Sequence, residues 1–398
     1  MTDSPTSPLE PAGRAHVEVD LAALERNFVR VAREVAPARV MPVVKADGYG
    51  HGAVTVARCL EPLGAAGFLV ARPEEGAALR RAGVRAPILV GSPLPAAALE
   101  QAAGDDLELA VCSLEQLAAL ERFAATSGWR PAVHLKIDTG MHRLGVAPAE
   151  VPAALERLRG SAAMRWIGLM SHLADADLAD SPRNAQQEAA FRQAAARLGA
   201  SERRRLTLHL ANSAGALRLP TARFDLVRPG LALYGGEIAG VALGLEPVLA
   251  LRGRIRQIQA VAAGEPVGYG GRWRAPRPSR IGVVGVGYAD GYPWRAGGAA
   301  QALVRGVRVA LVGAVSMDLL AIDLSDVSAG EGDEVTLLGR QGGEEIRLAE
   351  LAAWSVQSPY ELLCHLRLRL PRIELRDGVP VADGEPAAVS RRGDEDRA

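Results

Sequence analysis

The chain has 398 residues, 48% of them hydrophobic, and its 46 basic side chains balance 46 acidic ones. A chain of this length can form a large barrel with an appended domain, and a net charge of zero favours neither nucleic acid nor an anionic membrane as a partner. The sequence has no apolar run long enough for a signal peptide or a transmembrane helix, and its three cysteines lack metal-ligand spacing. We therefore expect a cytoplasmic protein without a metal site.

The chain begins with a polar, proline-rich stretch. Residues 1–13 are expected to be disordered, as are residues 383–398 at the other end. The first regular element is the run HVEVDL at 16–21, which alternates apolar and polar residues as a strand does. We expect this strand to pair with a later, C-terminal domain rather than with the elements that come directly after it.

Eight short apolar runs, separated by alanine-rich amphipathic stretches that mostly end near a glycine, lie between residues 40 and 235. The expected strands are Val40–Val44, Phe68–Val70, Ile88–Val90, Leu107–Val111, Val133–Ile137, Trp166–Met170, Leu206–Leu210 and Phe224–Val227. Alternation of strands and helices predicts a parallel sheet, and eight units are the number that closes a (β/α)₈ barrel. We assign residues 14–240 to this barrel. An open, doubly wound sheet is the alternative, disfavoured because no GxGxxG motif opens the first unit.

The pattern changes after residue 240. Segments such as RIGVVGVGYADGY and QALVRGVRVALVG are rich in β-branched residues and glycine turns and have little helical periodicity. They predict a separate, mostly antiparallel β domain over residues 241–382.

Polar residues collect at the carboxyl ends of the predicted barrel strands, where barrels hold their active sites. They are Lys45, Tyr49, Lys136, Asp138, Arg143, His172, His209, Asn212, Ser213, Arg228 and Gly230. Each has an ordinary structural interpretation: Lys45 can reach solvent from its strand end, Lys136 can pair with Asp138, and Asn212 can cap a helix. Because one barrel mouth would gather them all, an active site is the better interpretation.

The loops after the seventh and eighth strands suggest a phosphate site. Asn212-Ser213-Ala214 and Pro229-Gly230-Leu231 offer a hydroxyl, backbone amides and a glycine that allows close approach. A phosphate site facing Lys45 indicates a phosphorylated aldehyde held as a Schiff base, which describes pyridoxal phosphate. On these features alone, a Schiff-base aldolase remains possible.

At this point the chain closely resembles the alanine racemases, pyridoxal-phosphate enzymes of fold-type III with a barrel and a C-terminal β domain. The resemblance extends from HVEVDL to LPRIELR. Its most specific motifs are VVKADGYGHG, KIDTGMHRLG, HLANSAG, RPGLALYG, VGYGGRW, VGYADGY and SMD.

The resemblance implies a role for each matching residue. Lys45 holds the cofactor and is one base; Tyr269 is the other base, with His172 behind it; and Arg228 faces the pyridine nitrogen. The residues that bind the cofactor phosphate are Tyr49, Ser213, Gly230, Leu231 and Tyr360. Arg143 and the backbone amide of Met317 meet the substrate carboxylate, Asn212 gives structural support, and Tyr288 narrows the entrance together with Tyr360. Lys136 is the partner of Arg143, a residue that is often carbamylated in the family.

These roles predict a two-base reaction. Racemisation removes the α-proton from one face of the substrate and returns a proton to the other face. Two bases on opposite faces, each within hydrogen-bond reach of Cα, can carry this out. Tyr269 lies in the β domain, and in the family it reaches the barrel of a second subunit. The resemblance therefore implies a homodimer with composite sites, and alanine as the small-molecule substrate.

Two positions depart from the family pattern. Ser316 stands where many relatives have cysteine, and it should have little effect because the backbone of Met317 makes the contact. His142 stands where glycine is common, and we expect it to face solvent.

Three other functions share some of these features. A fold-type III amino-acid decarboxylase would also have the barrel lysine, and a non-catalytic pyridoxal-phosphate carrier would need only the barrel. A broad-specificity or serine racemase is the nearest alternative. We expect an alanine racemase that supplies D-alanine for peptidoglycan.

Overall fold

The computed structural model describes residues 15–178, 180–366 and 369–381. The two tails expected to be disordered fall outside the described residues. The two large sheets of the described chain are one of six parallel strands and one of ten mostly antiparallel strands.

The strands and helices alternate in the first part of the chain. The strands are β1 (Ala15–Asp20), β2 (Arg39–Val40), β3 (Phe68–Val70), β4 (Ile88–Val90), β5 (Glu108–Val111), β6 (Ala132–Lys136), β7 (Arg165–Met170), β8 (Thr207–His209) and β9 (Leu226–Val227). The helices are α1 (Leu21–Val35), α2 (Lys45–Tyr49), α3 (Ala53–Leu60), α4 (Pro73–Arg81), α5 (Leu99–Gly104), α6 (Leu114–Ser127), α7 (Val151–Gly160), α8 (Pro182–Ala195), α9 (Ala200–Arg205) and α10 (Ser213–Arg218).

The second part of the chain is mainly strands. They are β10 (Leu249–Val261), β11 (Pro266–Val267), β12 (Trp273–Arg274), β13 (Ser279–Val284), β14 (Gln301–Val304), β15 (Val307–Val312), β16 (Leu320–Asp323), β17 (Glu334–Gln341), β18 (Glu344–Ile346), β19 (Arg372–Arg376) and β20 (Val379–Pro380). Two helices, α11 (Leu348–Ser355) and α12 (Pro359–His365), precede the last two strands.

Strands β2 to β9 surround one interior. Strands β3 to β8 form a parallel sheet in chain order, and β2 pairs in parallel with β9. The two pieces are joined on one side by the Val43–Leu69 bridge and on the other by the Asp225 N–H, which donates to the Leu208 carbonyl at 3.0 Å. The predicted (β/α)₈ barrel architecture is confirmed.

Alternation along the strands separates an outer and an inner face. Leu109 and Val111 on β5 join the large core beneath the helices, whereas Ala110 between them joins a small cluster with Met41, Leu89, Met170 and Leu226. Because successive strand residues point to opposite faces, this small cluster fills the inside of the barrel.

Four predicted strands are shorter than expected, and for two of them the backbone shows the reason. The first, Val40–Val44, is reduced to Arg39–Val40 and the Val43 bridge, because Pro42 between them has no N–H to donate to a neighbouring strand. The last, Phe224–Val227, begins only at Leu226, because Phe224 has a left-handed backbone with φ of 49°.

The antiparallel sheet has the order β18-β17-β14-β15-β16-β13-β10-β1-β19-β20, and β17 also pairs with β10. That extra pairing closes six of its strands into a ring. Strand β1 pairs antiparallel with β10 and parallel with β19, so the first of the described strands lies in this sheet, as expected. The predicted mostly antiparallel C-terminal domain is confirmed, and the predicted boundary at residue 240 falls in the connection between β9 and β10.

Candidate active site

A cavity of about 700 Å³ opens at the carboxyl ends of the barrel strands. The predicted site residues that line it are Lys45, Tyr49, Lys136, Arg143, His172, Asn212, Ser213, Arg228, Gly230 and Tyr360. All but Tyr360 come from the loops and strand ends of the barrel, whereas Tyr360 comes from α12 of the second domain. The cavity is therefore formed mainly by the barrel and is bordered on one side by the C-terminal domain.

Lys45 is held by an unusual turn. The three residues after it, Ala46, Asp47 and Gly48, all have left-handed φ values between 53° and 63°, so α2 is a tight turn rather than a regular helix. Non-glycine residues adopt this conformation at a cost, and such strain is typical of functional sites. Glu75 stabilises the turn because its Oε1 accepts a hydrogen bond from the Ala46 N–H at 2.7 Å. The turn ends the extended segment at Lys45, so that its side chain lines the cavity.

The side chain of Lys45 is exposed towards the cavity, whose walls still remove part of its hydration. Burial by the surrounding wall lowers the pKa of Lys45, and the positive charge of Arg143 acts in the same direction. A lowered pKa increases the neutral fraction of the amine, which is the form that condenses with an aldehyde.

Lys45 and Lys136 are the only two lysines in the chain, although it has 46 basic residues. Both line the same cavity. Lys136 does not pair with Asp138, whose Oδ1 accepts backbone N–H bonds from residues 140–142. Burial lowers the pKa of Lys136 to about 8, and the charge of Arg228 acts in the same direction. Arginine supplies all the other basic side chains, so both lysine amines of the protein stand at this one site.

The loops that come after β8 and β9 form a cradle. The Ser213 hydroxyl oxygen accepts hydrogen bonds from the backbone N–H groups of Gly230 at 2.9 Å and Ala232 at 3.2 Å, which ties the two loops together. Asn212 caps α10 by accepting from the Gly215 N–H at 2.9 Å. A Cβ on Gly230 would lie 2.5 Å from the Tyr49 hydroxyl oxygen, so glycine is needed for this close approach.

The cradle retains unused donors. Among the described residues, the backbone N–H groups of Ser213, Ala214 and Leu231 have no acceptor. Together with the Tyr49 hydroxyl they offer an array of donors of the kind that binds phosphate. The amine of Lys45 and this array lie on the same cavity, as a phosphorylated aldehyde requires. The residues present therefore fit pyridoxal phosphate.

Arg228 is buried, with 3% of its surface exposed. Its Nη2 donates to the carbonyl oxygens of Ser171 at 2.6 Å and Leu210 at 3.0 Å, and its Nη1 donates to His209 Nδ1 at 2.7 Å. Burial lowers the pKa of Arg228 to about 10, so the guanidinium stays charged at neutral pH. The Nε–H and one Nη1–H find no acceptor in the described part of the chain, and the cavity is lined by this side chain.

His172 is expected to be neutral. Burial lowers its pKa well below the usual value, and the nearby charge of Arg228 lowers it further. A neutral imidazole in the cavity wall can accept or donate a hydrogen bond without adding to the positive charge of the site.

Three predicted residues lie elsewhere in the single chain. Tyr269, Tyr288 and Met317 line a separate cavity of about 330 Å³ on the C-terminal domain, together with Ser316 and Trp294. Tyr269 is 75% exposed and Met317 is 54% exposed, and Tyr269 begins a short 3₁₀ turn between β11 and β12. One copy of the chain therefore does not bring the predicted second base to Lys45.

The two positions that depart from the family pattern lie away from the cavity of Lys45. The His142 side chain is 83% exposed, and its Nδ1 lies 3.0 Å from Asp138 Oδ2. The Ser316 backbone carbonyl accepts from the Tyr288 N–H at 3.0 Å, so the contact made by residue 316 does not need a particular side chain.

Sequence reasoning missed several residues of the site. Glu75 supports the Lys45 turn, and no local pattern marks it. His134 lies inside the barrel because it alternates with the outward-facing Val133 and Leu135 on β6. The same alternation, applied to the predicted strand, would have placed His134 beside Lys136 on the inner face.

Comparisons with known proteins identify the family of this chain. The model of the alanine racemase N-terminal domain matches residues 19–238, and that of the alanine racemase C-terminal domain matches residues 248–374. The alanine racemase of Pseudomonas taetrolens is 44% identical over 365 residues, which cover 90% of this chain and 98% of the relative.

Solved structures extend the comparison to the fold. The biosynthetic alanine racemase from Pseudomonas aeruginosa aligns with a TM-score of 0.83 at 38% identity, covering 91% of this chain and 99% of that one. The alanine racemase from Bartonella henselae was solved with covalently bound pyridoxal phosphate. It aligns with a TM-score of 0.83 at 29% identity, and the alignment covers 91% of this chain and 100% of that one.

Proposed function

This chain belongs to the alanine racemase family, and from that premise we propose that Lys45 and Tyr269 are the two bases that move the α-proton. The protein interconverts L-alanine and D-alanine and uses pyridoxal phosphate. Bound as a Schiff base, this cofactor withdraws electrons from Cα and so makes the α-proton removable. The main observation behind the proposed role of Lys45 is that Lys45, Arg228 and the phosphate cradle all lie on one cavity.

Chiral chromatography of the purified protein, incubated with L-alanine and pyridoxal phosphate, tests the reaction. We expect D-alanine to accumulate towards an equal mixture. Release of carbon dioxide instead would indicate a fold-type III decarboxylase, and cofactor binding without any turnover would indicate a carrier. Faster turnover of serine than of alanine would indicate a serine racemase.

Lys45 works at one face of the substrate. Its turn holds the amine at the cavity, and its lowered pKa lets the neutral amine take a proton at moderate pH. The cradle around Ser213 and Tyr49 binds the phosphate, which orients the cofactor relative to Lys45. Arg143, open to the cavity wall, offers a positive charge to the substrate carboxylate.

Arg228 limits the reactions open to the substrate once its α-proton has been removed. A guanidinium donates a hydrogen bond but does not give up its proton near neutral pH, so Arg228 would leave a pyridine nitrogen placed against it unprotonated. A cofactor held in this way would withdraw electrons less strongly. Return of a proton to Cα would then be favoured over transamination.

Tyr269 reaches the substrate from a second copy of the chain. Four side chains support this proposal, because they leave an apolar, largely exposed surface on the C-terminal domain: Tyr269, Tyr288, Trp294 and Met317. Exposed apolar patches of this kind mark interaction sites, and a symmetric dimer joins the same two surfaces twice. In such a dimer this surface would cover the Lys45 cavity of the other copy and add Tyr269 to it.

A mixed dimer tests the composite site. When Lys45→Ala and Tyr269→Phe chains are refolded or co-expressed together, each heterodimer contains one site with both native bases and one with neither. We expect about one quarter of wild-type racemase activity from an equal mixture, because half of the dimers are mixed and each has one intact site.

The parent homodimers supply the control for this experiment, since each carries a defect in both of its sites. Racemase activity of the mixture that equals the mean of the two parents would contradict a shared site. Mixtures with differently tagged subunits allow the heterodimer to be purified and measured alone.

Lys136 is proposed to be carbamylated. Its pKa of about 8 leaves a neutral amine fraction that can add carbon dioxide with loss of one proton. The product is an anion placed near the positive charges of Arg228 and Arg143, which offsets their mutual repulsion. Lys136 donates only a long 3.4 Å hydrogen bond to the Gly91 carbonyl, so the addition breaks little.

Carbon-13 NMR after equilibration with labelled bicarbonate checks this prediction. We expect one carbamate carbon signal in the wild-type protein and in Lys45→Arg, and none in Lys136→Met. Because the chain has only two lysines, these two variants decide which lysine carries a carbamate. A signal that persists in Lys136→Met would place the carbamate elsewhere.

The supply of D-alanine to peptidoglycan and a cytoplasmic location stay predictions. None of the helices in the described part of the chain is long and apolar enough to cross a bilayer.

A further inference from the structure

A line of hydrogen-bonded side chains crosses the inside of the barrel from Arg228 to Glu108. Arg228 Nη1 lies 2.7 Å from His209 Nδ1, and His209 Nε2 lies 2.9 Å from His134 Nδ1. His134 Nε2 in turn lies 3.1 Å from Glu108 Oε2. Arg228 borders the cavity, whereas Glu108 is the first residue of β5 and so stands at the opposite end of the barrel.

The direction of all three bonds is set by Arg228. A guanidinium has donors only, so His209 must accept through Nδ1 and carry its proton on Nε2. His209 Nε2 then donates to His134 Nδ1, and His134 Nε2 donates to the Glu108 carboxylate. Both imidazoles are neutral in this arrangement, and burial lowers the pKa of His209 well below the usual value, in agreement with it.

The fold makes room for this line of side chains. It passes from β6 to β8 across β7, where a Cβ on Gly168 would lie 2.0 Å from His134 Nδ1. No residue other than glycine fits there without moving His134. The residues before and after Glu108, His134 and His209 on their strands face outward into the main core. These three side chains therefore lie on the inner face of the barrel, beside Ala110 and Met170.

The charge of Arg228 indicates what this line of hydrogen bonds does. Arg228 is a buried cation, and no carboxylate in the described part of the chain is within ion-pair distance of it. A buried charge without compensation is costly. Within the described residues, the hydrogen bonds from Arg228 through the two histidines end at one charged group, Glu108, whose side chain is 18% exposed.

We propose that Glu108 is the remote counter-charge and positioning residue of Arg228, acting through His134 and His209. The proposal rests on the role proposed above for Arg228. A carboxylate bound directly to Arg228 would occupy the donors that face the cavity. Placing the negative charge three hydrogen bonds away leaves the Nε–H and one Nη1–H free for the cofactor ring, while the guanidinium is held by His209.

The variant Glu108→Gln tests this proposal because it removes the charge and keeps an acceptor of the same shape. Glu115→Gln is the matched control, since Glu115 is exposed on α6 of the same unit and its loss changes the net charge equally. The first readout is the ring nitrogen-15 chemical shifts of histidine-labelled protein without cofactor, assigned through the variants His134→Gln and His209→Gln.

In wild-type protein we expect both rings to be neutral with the proton on Nε2. Glu108→Gln should shift the nitrogens of His134 and also of His209, which Glu108 does not touch, whereas Glu115→Gln should shift neither. A proton on Nδ1 of either ring would overturn the proposal. So would a His209 spectrum that Glu108→Gln leaves unchanged. This readout uses no turnover, so its outcome is independent of the proposed reaction.

Kinetics of the holoenzyme provide the second readout. Glu108→Gln should lower kcat on the order of tenfold with KM for alanine unchanged, because it weakens a charge-assisted chain rather than a substrate contact. In the His134→Gln background the same change should have no further effect, since the connection is already broken. A further tenfold fall in the double variant, or a rise in KM alone, would contradict action through His134. If His134→Gln does not fold, the nitrogen shifts of Glu108→Gln decide.

Discussion

Replacing Lys45 with alanine is expected to abolish the formation of D-alanine from L-alanine. The variant removes both the amine that binds the cofactor and one of the two bases, and a general base alone contributes about 10² to 10⁴-fold. Chiral chromatography after incubation with pyridoxal phosphate measures the loss. We expect no D-alanine above that formed by heat-inactivated protein.

Lys45→Arg separates the chemistry of the amine from its charge. Arginine keeps a cation at the strand end but does not form a Schiff base, so it should be as inactive as alanine. Borohydride reduction of the wild-type holoenzyme should attach the cofactor to the peptide that contains Lys45. Because the chain has only one other lysine, attachment at Lys136 would show at once that the two have been assigned the wrong way round.

Replacing Tyr269 with phenylalanine is expected to uncouple the two faces of the substrate. The base at Lys45 remains, so the enantiomer whose α-proton it removes should still exchange that proton with solvent. The other enantiomer should lose exchange by about 10² to 10⁴-fold, since its base is gone. Proton NMR of L-alanine and D-alanine in heavy water, recorded separately, measures both rates.

Tyr288→Phe is the control for this experiment, because it removes a hydroxyl from a second tyrosine that lines the same cavity as Tyr269. Tyr288 is proposed to narrow the entrance, so its loss should change KM and affect both enantiomers alike. Equal loss of exchange from the two enantiomers in Tyr269→Phe would mean that separate bases do not serve the two faces.

Local sequence patterns were sufficient for the architecture. The alternation of short apolar runs with amphipathic stretches predicted a parallel barrel, because strands and helices have different hydrophobic periods. The change to β-rich segments near residue 240 predicted the second domain. The same patterns located Lys45, Arg228 and the Ser213 loop, since each comes directly after a recognisable strand and the carboxyl ends of parallel strands meet at one mouth.

Strand ends were less predictable. Pro42 interrupts the first barrel strand, and the left-handed backbone of Phe224 delays the last one. The effect of Pro42 follows from the sequence, since proline has no N–H to donate, whereas no local pattern marks the left-handed backbone of Phe224.

The sequence by itself determined the class of fold, the family and the residues that stand at the ends of the barrel strands. Only the tertiary structure decided which distant side chains meet: Glu75 under the Lys45 turn, and Glu108, His134 and His209 in line behind Arg228. It also placed Tyr269 on a surface apart from the Lys45 cavity of its own chain. The physical reason is one of range. Hydrophobic period and turn chemistry act over a few residues, whereas the hydrogen bonds behind Arg228 join strands up to 75 residues apart and exist only once the barrel has closed.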